Sequence, residues 1–413
     1  MALYFSRNTK VYLKQGSNMW EIPVLDGFSF SQGANSSEIT LSEGMKYHAT
    51  ERKVRRSRRM FTDSLAPAEW SFSTYARPFQ AKVGQSQGWE SANGQSPMVA
   101  THHAVEEPLW ANFVSTNSWT PSSLGDDLTA GGSGDDEDSN SSWAKTVTNS
   151  ATNMVIDFED SETGEVGEFE LVFIISDDAA GTNKKGYEIK KCVVNEVTLD
   201  FDVEGLTTLN WSGFGSDIDD YDTAIPGTVI NEEINTTDNF IRNRLTTLNV
   251  QAPDGGLFAG GSEGSNPATT GHYDVVLTGG SISFSNNITY LTPETLGRID
   301  TPLGHVTGTR TIGGSFTAYL DSAADKGTAE LFDELVNNDS VITNSFNLTF
   351  NVGGTTNPKI QIAMPQCHLE IPTHSIEDVI SMEVNFHALT SGFTPTSADN
   401  FEAKLTYTGI ANT

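Results

Sequence analysis

Cysteine, cationic charge and long apolar runs are what this sequence has little of. Its 413 residues hold only Cys192 and Cys367, too few for a disulfide framework or a four-thiolate zinc site. Lys and Arg number 24 against 54 Asp and Glu, a formal charge of −30. That balance argues against general nucleic-acid binding, because neutralising phosphate needs a cationic surface. No run approaches the roughly 18 to 20 apolar residues of a spanning helix. The opening stretch from Met1 to Lys14 lacks the basic-then-apolar pattern of a signal peptide. The expectation is a soluble protein made in the cytoplasm, with no membrane partner.

Signatures of chemistry are missing too. The eight histidines show no His-Glu-x-x-His pattern, and His102 and His103 are adjacent rather than spaced along a helix face. His368, His374 and His387 read as ordinary hydrogen-bonded strand residues. Gly213-Phe214-Gly215 runs on to Ile218, so the dinucleotide glycine pattern fails, and no Gly-Lys-Ser/Thr closes a phosphate loop. Asp217, Asp219, Asp220 and Asp222 could hold calcium, but Asp222 and Thr228 stand where an EF-hand loop needs Gly and Glu. Asp135 to Asp138 are the other acidic stretch weighed as a calcium site. Carboxylates are too plentiful for one pair to nominate itself as an acid/base couple. Cys192 and Cys367 read as small buried residues. No enzyme, cofactor or metal is expected.

What is present is a core and a period of two. Apolar residues make up 37% and Gly another 37 residues, and there are too many aromatics for a disordered acidic chain. Charged residues are only 19%, so the surface is largely Ser, Thr, Asn and Gly, which suits sheets and turns. Alternation marks strands at Lys10 to Leu13, Phe28 to Ser31, Trp70 to Tyr75, Phe169 to Ile175, Val193 to Trp211, Phe316 to Leu320, Phe346 to Val352 and Val379 to Leu389, among others. Helical spacing is confined to Glu106 to Val114 and Thr328 to Val336.

Those helices are alike, and four other anchors recur in the same order. Phe28-Ser29-Phe30-Ser31 returns as Ile282-Ser283-Phe284-Ser285, and Ser71 to Tyr75 returns as Ser315 to Tyr319. The strand at Asn153 to Phe158 is matched to Phe346 to Phe350. Cys192, Thr198, Leu209, Asn210 and Trp211 answer to Cys367, Thr373, Val384, Asn385 and Phe386 at a constant shift of 175 residues. An ordered repeat of this length implies a duplicated unit. From Tyr75 to Cys192 is 192 − 75 = 117 residues, whereas from Tyr319 to Cys367 is 367 − 319 = 48. The first copy therefore carries an insertion, its Gly/Asp/Ser-rich part at about 118–150. The expected organisation is unit A at 1–215, a linker or arm at 216–244, unit B at 245–390 and a C-terminal tail at 391–413.

In Thr198 to Glu204, alternation sends Leu199, Phe201 and Val203 to one face and Thr198, Asp200, Asp202 and Glu204 to the other. A half-exposed strand facing solvent is one reading of this carboxylate row; the lining of a closed ring is the other. In the second copy Ser375, Glu377 and Val379 align with it, so only Glu377 keeps the acid.

The stretch from Cys192 to Phe201, continuing through Gly205-Leu206-Thr207-Thr208-Leu209-Asn210-Trp211-Ser212-Gly213-Phe214-Gly215, resembles the closing strands of tailed-phage tail tube proteins. Val24 to Ser31 with Ser37 to Leu41, and Glu69 to Tyr75, resemble that family as well. The resemblance implies a mainly β fold. Each of two tandem β-sandwich or barrel units carries one short helix, and sheets join between subunits into a closed ring barrel. It implies a structural virion protein assembled in the host cytoplasm into the virion tail. Three chains form a pseudo-sixfold ring, and stacked rings conduct DNA that is not bound specifically. Partners implied are the chain itself, a tape measure protein and tail-tip or terminator proteins. Closure removes sheet edges, a hazard for a β-rich chain. Asp200, Asp202, Glu204 and Glu377 would then face the lumen and repel DNA.

Against the acidic background stands a run of Arg52, Lys53, Arg55, Arg56, Arg58 and Arg59. Within the resemblance it falls in the loop that reaches the adjacent ring, where a basic loop meeting an acidic surface sets the register of stacking. A rival reading is a modular β-sandwich surface or baseplate protein that recognises a receptor or glycan through aromatics such as Trp119 and Trp143.

Overall fold

The computed structural model describes residues 3–16, 18–38, 45–48, 51–54, 60–80, 102–114, 147–150, 152–159, 166–177, 183–221, 228–230, 239–251, 272–292, 302–322, 327–337, 345–376, 378–390 and 401–411. Alternation of apolar and polar side chains becomes strand almost throughout. The chain opens with β1 (Lys10–Gln15), β2 (Asn18–Ile22), β3 (Ser29–Glu38), β4 (Met45–His48), β5 (Glu51–Val54), β6 (Met60–Tyr75), β7 (Pro78–Gln80) and β8 (His102–Ala104), then helix α1 (Glu107–Val114). There follow β9 (Val147–Asn149), β10 (Met154–Glu159), β11 (Phe169–Ser176), β12 (Lys184–Asp202), β13 (Thr208–Gly215), β14 (Ile218–Tyr221) and β15 (Thr228–Ile230). The second half has β16 (Thr247–Gln251), β17 (His272–Asp274), β18 (Leu277–Ser285), β19 (Thr289–Leu291), β20 (Gly304–Val306), β21 (Thr311–Tyr319) and helix α2 (Thr328–Asn337). It ends with β22 (Phe346–Val352), β23 (Lys359–Leu369), β24 (Thr373–Ile376), β25 (Ile380–Ala388), β26 (Phe401–Thr408) and β27 (Ile410–Ala411).

One long antiparallel sheet runs in the order β3, β6, β13, β12, β18, β21, β25, β24. Its first four strands come from the first half of the chain and its last four from the second. Behind it lie β14, the start of β12, β11, β1 and β2 in the first half. In the second half the same place is taken by β26, the start of β23, β22, β16 and β17. The two layers enclose Phe72, Leu199, Trp211, Ile282, Phe316 and Val384 from the long sheet and Leu13, Trp20, Leu171, Phe173, Leu348 and Phe350 from behind, all in one continuous core. Sheets packed face to face with inward side chains interdigitating make a sandwich, and each fully buried aliphatic or Phe side chain contributes about 1.5 to 3 kcal/mol. Helix α1 sits under the junction of the halves. Trp110 meets Trp211 at 5.0 Å and Phe284 at 5.5 Å between centroids.

The pairing schemes of the halves correspond closely. Phe169 stands opposite Cys192 and Leu171 opposite Ile189, with a bulge between; Phe346 opposite Cys367 and Leu348 opposite Met364 repeat it. The Cys192 thiol donates to the Ile189 carbonyl at 3.3 Å, and the Cys367 thiol to the Met364 carbonyl at 3.8 Å. The Arg77 N–H reaches Glu106 Oε2 at 3.5 Å before α1, as the Asp321 N–H reaches Thr328 Oγ1 at 2.7 Å at the start of α2.

Registers correct several expectations. The counterpart of Phe346 to Phe350 is Phe169 to Phe173 on β11, not Asn153 to Phe158, which forms β10 and pairs with β26 and β9. The shift of 175 holds on β12 but falls to 173 on β13, because the hairpin turn after β24 is two residues shorter: Asp200 pairs Thr208, whereas Ser375 pairs Ser381. Trp211 therefore answers to Val384, each opposite a phenylalanine of the next strand, Phe72 or Phe316. Likewise Ser29 opposite Ser71 matches Ser281 opposite Ser315, so Val24-Leu25-Asp26-Gly27-Phe28-Ser29 corresponds to Val276-Leu277-Thr278-Gly279-Gly280-Ser281. The segment expected as a C-terminal tail instead supplies β26, hydrogen-bonded between β23 and β10. Within the expected linker, β14 pairs with β12 and β15 with β2.

Candidate functional site

Alternate residues of the long sheet point away from the core, and nearly all of them are small and polar. One row crosses Ser29, Ser71, Ser212, Glu196, Ser285 and Thr311; the next crosses Ser73, Asn210, Thr198, Ser283, Gly313 and His387. A third crosses Tyr75, Thr208, Asp200, Ser281, Ser315 and Asn385. Short hydrogen bonds knit these rows. Ser29 Oγ and Ser71 Oγ lie 2.9 Å apart, Ser73 Oγ donates to Asn210 Oδ1 at 2.7 Å, and Asn210 Nδ2 donates to Asp200 Oδ2 at 2.8 Å.

The charge on this face is negative. Glu69, Glu196, Asp200, Asp202, Glu370 and Glu383 stand on it, and the rows above contain no lysine or arginine. Desolvation by the surrounding strands pushes the Asp200 carboxyl above the ordinary carboxylate range, against the Asn210 hydrogen bond that favours the anion. Glu370 moves the other way, its carboxylate held down by hydrogen bonds from Asn385 and His387.

Of the acids expected to form a row, Asp200 and Asp202 are on this face and exposed. Strand β12 ends at Asp202. Glu204 falls in the following turn, its N–H bound to Asp202 Oδ1 at 2.8 Å, and Gly205 adopts φ +95°. Val203, expected on the core face, is 49% exposed for the same reason. Glu377 lies outside the described residues. Glu69, Glu370 and Glu383 share a face with Asp200 only through strand pairing, whereas Glu196, four residues before Asp200 on β12, follows from alternation along that strand.

The basic run is divided. Arg52 and Lys53 lie on β5, whose backbone pairs with β4 at Tyr47 and Lys46. Arg55, Arg56, Arg58 and Arg59 are outside the described residues, as are Trp119 and Trp143. Asp217, Asp219 and Asp220, weighed for calcium, pair instead with lysines of β12: Lys190 Nζ lies 2.6 Å from Asp219 and 3.9 Å from Asp217, and Lys185 meets Asp220. Asp222 and Asp135 to Asp138 lie outside the described residues. Both cysteines are fully buried, and burial pushes the Cys367 thiol up to about 12 and the Cys192 thiol well above its ordinary value. Neither is poised as a nucleophile.

The sheet ends in two open edges. Among the described residues no strand pairs with the outer side of β3 or of β24. Unpaired edges on a β-rich chain are templates for adding another strand.

A long sheet with an acidic, polar outer face and open strands at both ends defines a structural assembly subunit. The chain belongs to the phage tail tube protein family, whose model matches residues 110–404. It is 29% identical over 428 aligned positions to the tail tube protein pb6 of Escherichia phage T5, an alignment that spans 100% of this chain and 78% of that protein.

Proposed function

We propose that the chain is the major tail tube subunit. Two tube units per molecule build a pseudo-sixfold ring from three copies, and stacked rings enclose the channel through which phage DNA leaves. The single observation that carries this reading is the long sheet itself, two blocks of four strands merged through β12 and β18, with both outer edges open among the described residues. Repeating the merger between molecules closes a barrel and leaves no edge.

The polar face is the lumen. DNA carries one charge per about 1.7 Å of axis, and fixed carboxylates act on it within about 8 Å at physiological salt. A wall of Ser, Thr and Asn with Asp200, Asp202 and the glutamates offers hydration and repulsion but no cation to hold a phosphate. In this reading the protein is a conduit and not an enzyme. Arg52, Lys53, Arg55, Arg56, Arg58 and Arg59 act at the contact between rings. Tape measure, tail-tip or terminator proteins are its further partners in the virion tail, which assembles in the host cytoplasm.

Electron microscopy of the purified protein in negative stain tests the reading. Rings or tubes with a central hole are expected; dispersed monomers at every concentration and salt would contradict it.

A further inference from the structure

The internal seam is a template for the open ends. At it β12 pairs with β18, which sets Thr198 opposite Ser283, Asp200 opposite Ser281 and Phe201 opposite Gly280. The correspondences established by strand pairing carry Thr198, Asp200 and Phe201 onto Thr373, Ser375 and Ile376 of β24. They carry Ser283 and Ser281 onto Ser31 and Ser29 of β3, and Gly280 onto Phe28 just before it.

We infer that β24 of one molecule adds to β3 of a second copy in antiparallel register, Thr373 opposite Ser31 and Ser375 opposite Ser29, with Ile376 seated on Phe28. This rests on the tube reading and specifies the joint that it requires.

Burial supports the joint. Phe201 is 3% exposed, lies over Gly280 and has its ring 5.5 Å from Phe350. Its counterpart Ile376 is 80% exposed in the single chain. Across the proposed joint the counterparts of Gly280 and Phe350 are Phe28 and Phe173, whose rings stack at 5.9 Å. Inside the molecule a large side chain covers a glycine; between molecules a smaller one would cover a phenylalanine, so the two joints fill similar volume.

The helices repeat the asymmetry. Val114 of α1, beneath the internal seam, is 2% exposed, whereas Val336 at the matching position of α2 is 46% exposed. Ile371 and Val379 flank β24 and are also exposed. An exposed apolar strip beside an unpaired strand marks an interface, and a copy of the surface that already covers Phe201 fits it.

Paired cysteines in the full chain test the register, and the native thiols are buried and do not compete. Ser29→Cys combined with Ser375→Cys should cross-link assembled protein at least about tenfold faster than Ser31→Cys with Ser375→Cys, because opposed Cβ atoms lie about 5 Å apart and diagonal neighbours about 7 Å. Rings in which the second pair links as fast or faster would overturn the register and leave the tube reading standing. A wild-type chain that never forms rings would overturn both. Ile376→Asp should leave the melting temperature of dispersed protein unchanged and abolish rings; normal rings from that variant would also overturn the joint.

Discussion

The indole N–H of Trp110 donates to the Tyr407 hydroxyl at 2.8 Å, both groups fully buried. This bond ties helix α1, from the first half of the chain, to the last long strand of the second. Tyr407→Phe leaves a buried indole N–H unsatisfied, which costs about 1 to 3 kcal/mol. Chemical denaturation should show that loss with an unchanged slope. Removal of residues 401–413 should be more damaging still, since β26 fills the gap between β23 and β10.

Glu106 lies beside the same bond. Burial raises its carboxyl to about 7, above an ordinary carboxylic acid in the unfolded chain. The folded protein therefore holds a proton there that the unfolded chain releases. The associated stability is complete below about pH 4.5 and is lost as pH rises through about 7, a change of about 3 kcal/mol. Glu106→Gln removes this dependence. The melting temperature of the variant relative to wild type should climb from pH 5 to pH 8; a constant difference would dismiss the assignment.

Gly213 tests the packing of the long sheet. A Cβ built there would lie 2.0 Å from the Val193 carbonyl oxygen and 2.5 Å from the Trp70 ring. Two strands would have to separate to admit it. Gly213→Ala should destabilise by about 3 kcal/mol or more, read as a lower denaturation midpoint, while Gly33→Ala, whose Cβ would meet Ala66 at 3.6 Å, should cost far less.

The lumen assignment predicts a change in DNA behaviour without a change in fold. Asp200→Lys with Asp202→Lys places cations on an exposed polar face. Tubes of this variant should form and should retain DNA fragments that wild-type tubes exclude, with retention lost at high salt. Equal exclusion by both would remove the face from contact with DNA.

For the basic run, replacing Arg52, Arg55, Arg56, Arg58 and Arg59 with Ser should leave rings intact and shorten tubes, most strongly at low salt. Tube length measured by microscopy is the readout.

Much of the fold was legible because a period of two is written into the strands, and the family resemblance rested on segments that form β3, β6, β12 and β13. Register was not legible. Phe28-Ser29-Phe30-Ser31 matches Ile282-Ser283-Phe284-Ser285 in letters, yet pairing with Ser71 and Ser315 moves the match by two residues. A slip of two keeps every side chain on its proper face, so the alternation that reveals a strand cannot detect it. Strand β26 carries the same alternation, Phe401, Ala403, Leu405 and Tyr407 against Glu402, Lys404, Thr406 and Thr408; what its own letters do not show is its place between β23 and β10, which come from distant parts of the chain. For the same reason Asp200 could be read from its own strand, whereas Glu69 and Glu383 joined it only through neighbouring strands.

The most direct test of the central claim is the mass of a single ring, by native mass spectrometry or light scattering on unstacked particles. Three times the 44.7 kDa chain mass is the predicted result. A ring of six chains would mean that one molecule supplies one unit of the wall, and the account of the long sheet as two merged blocks would fail.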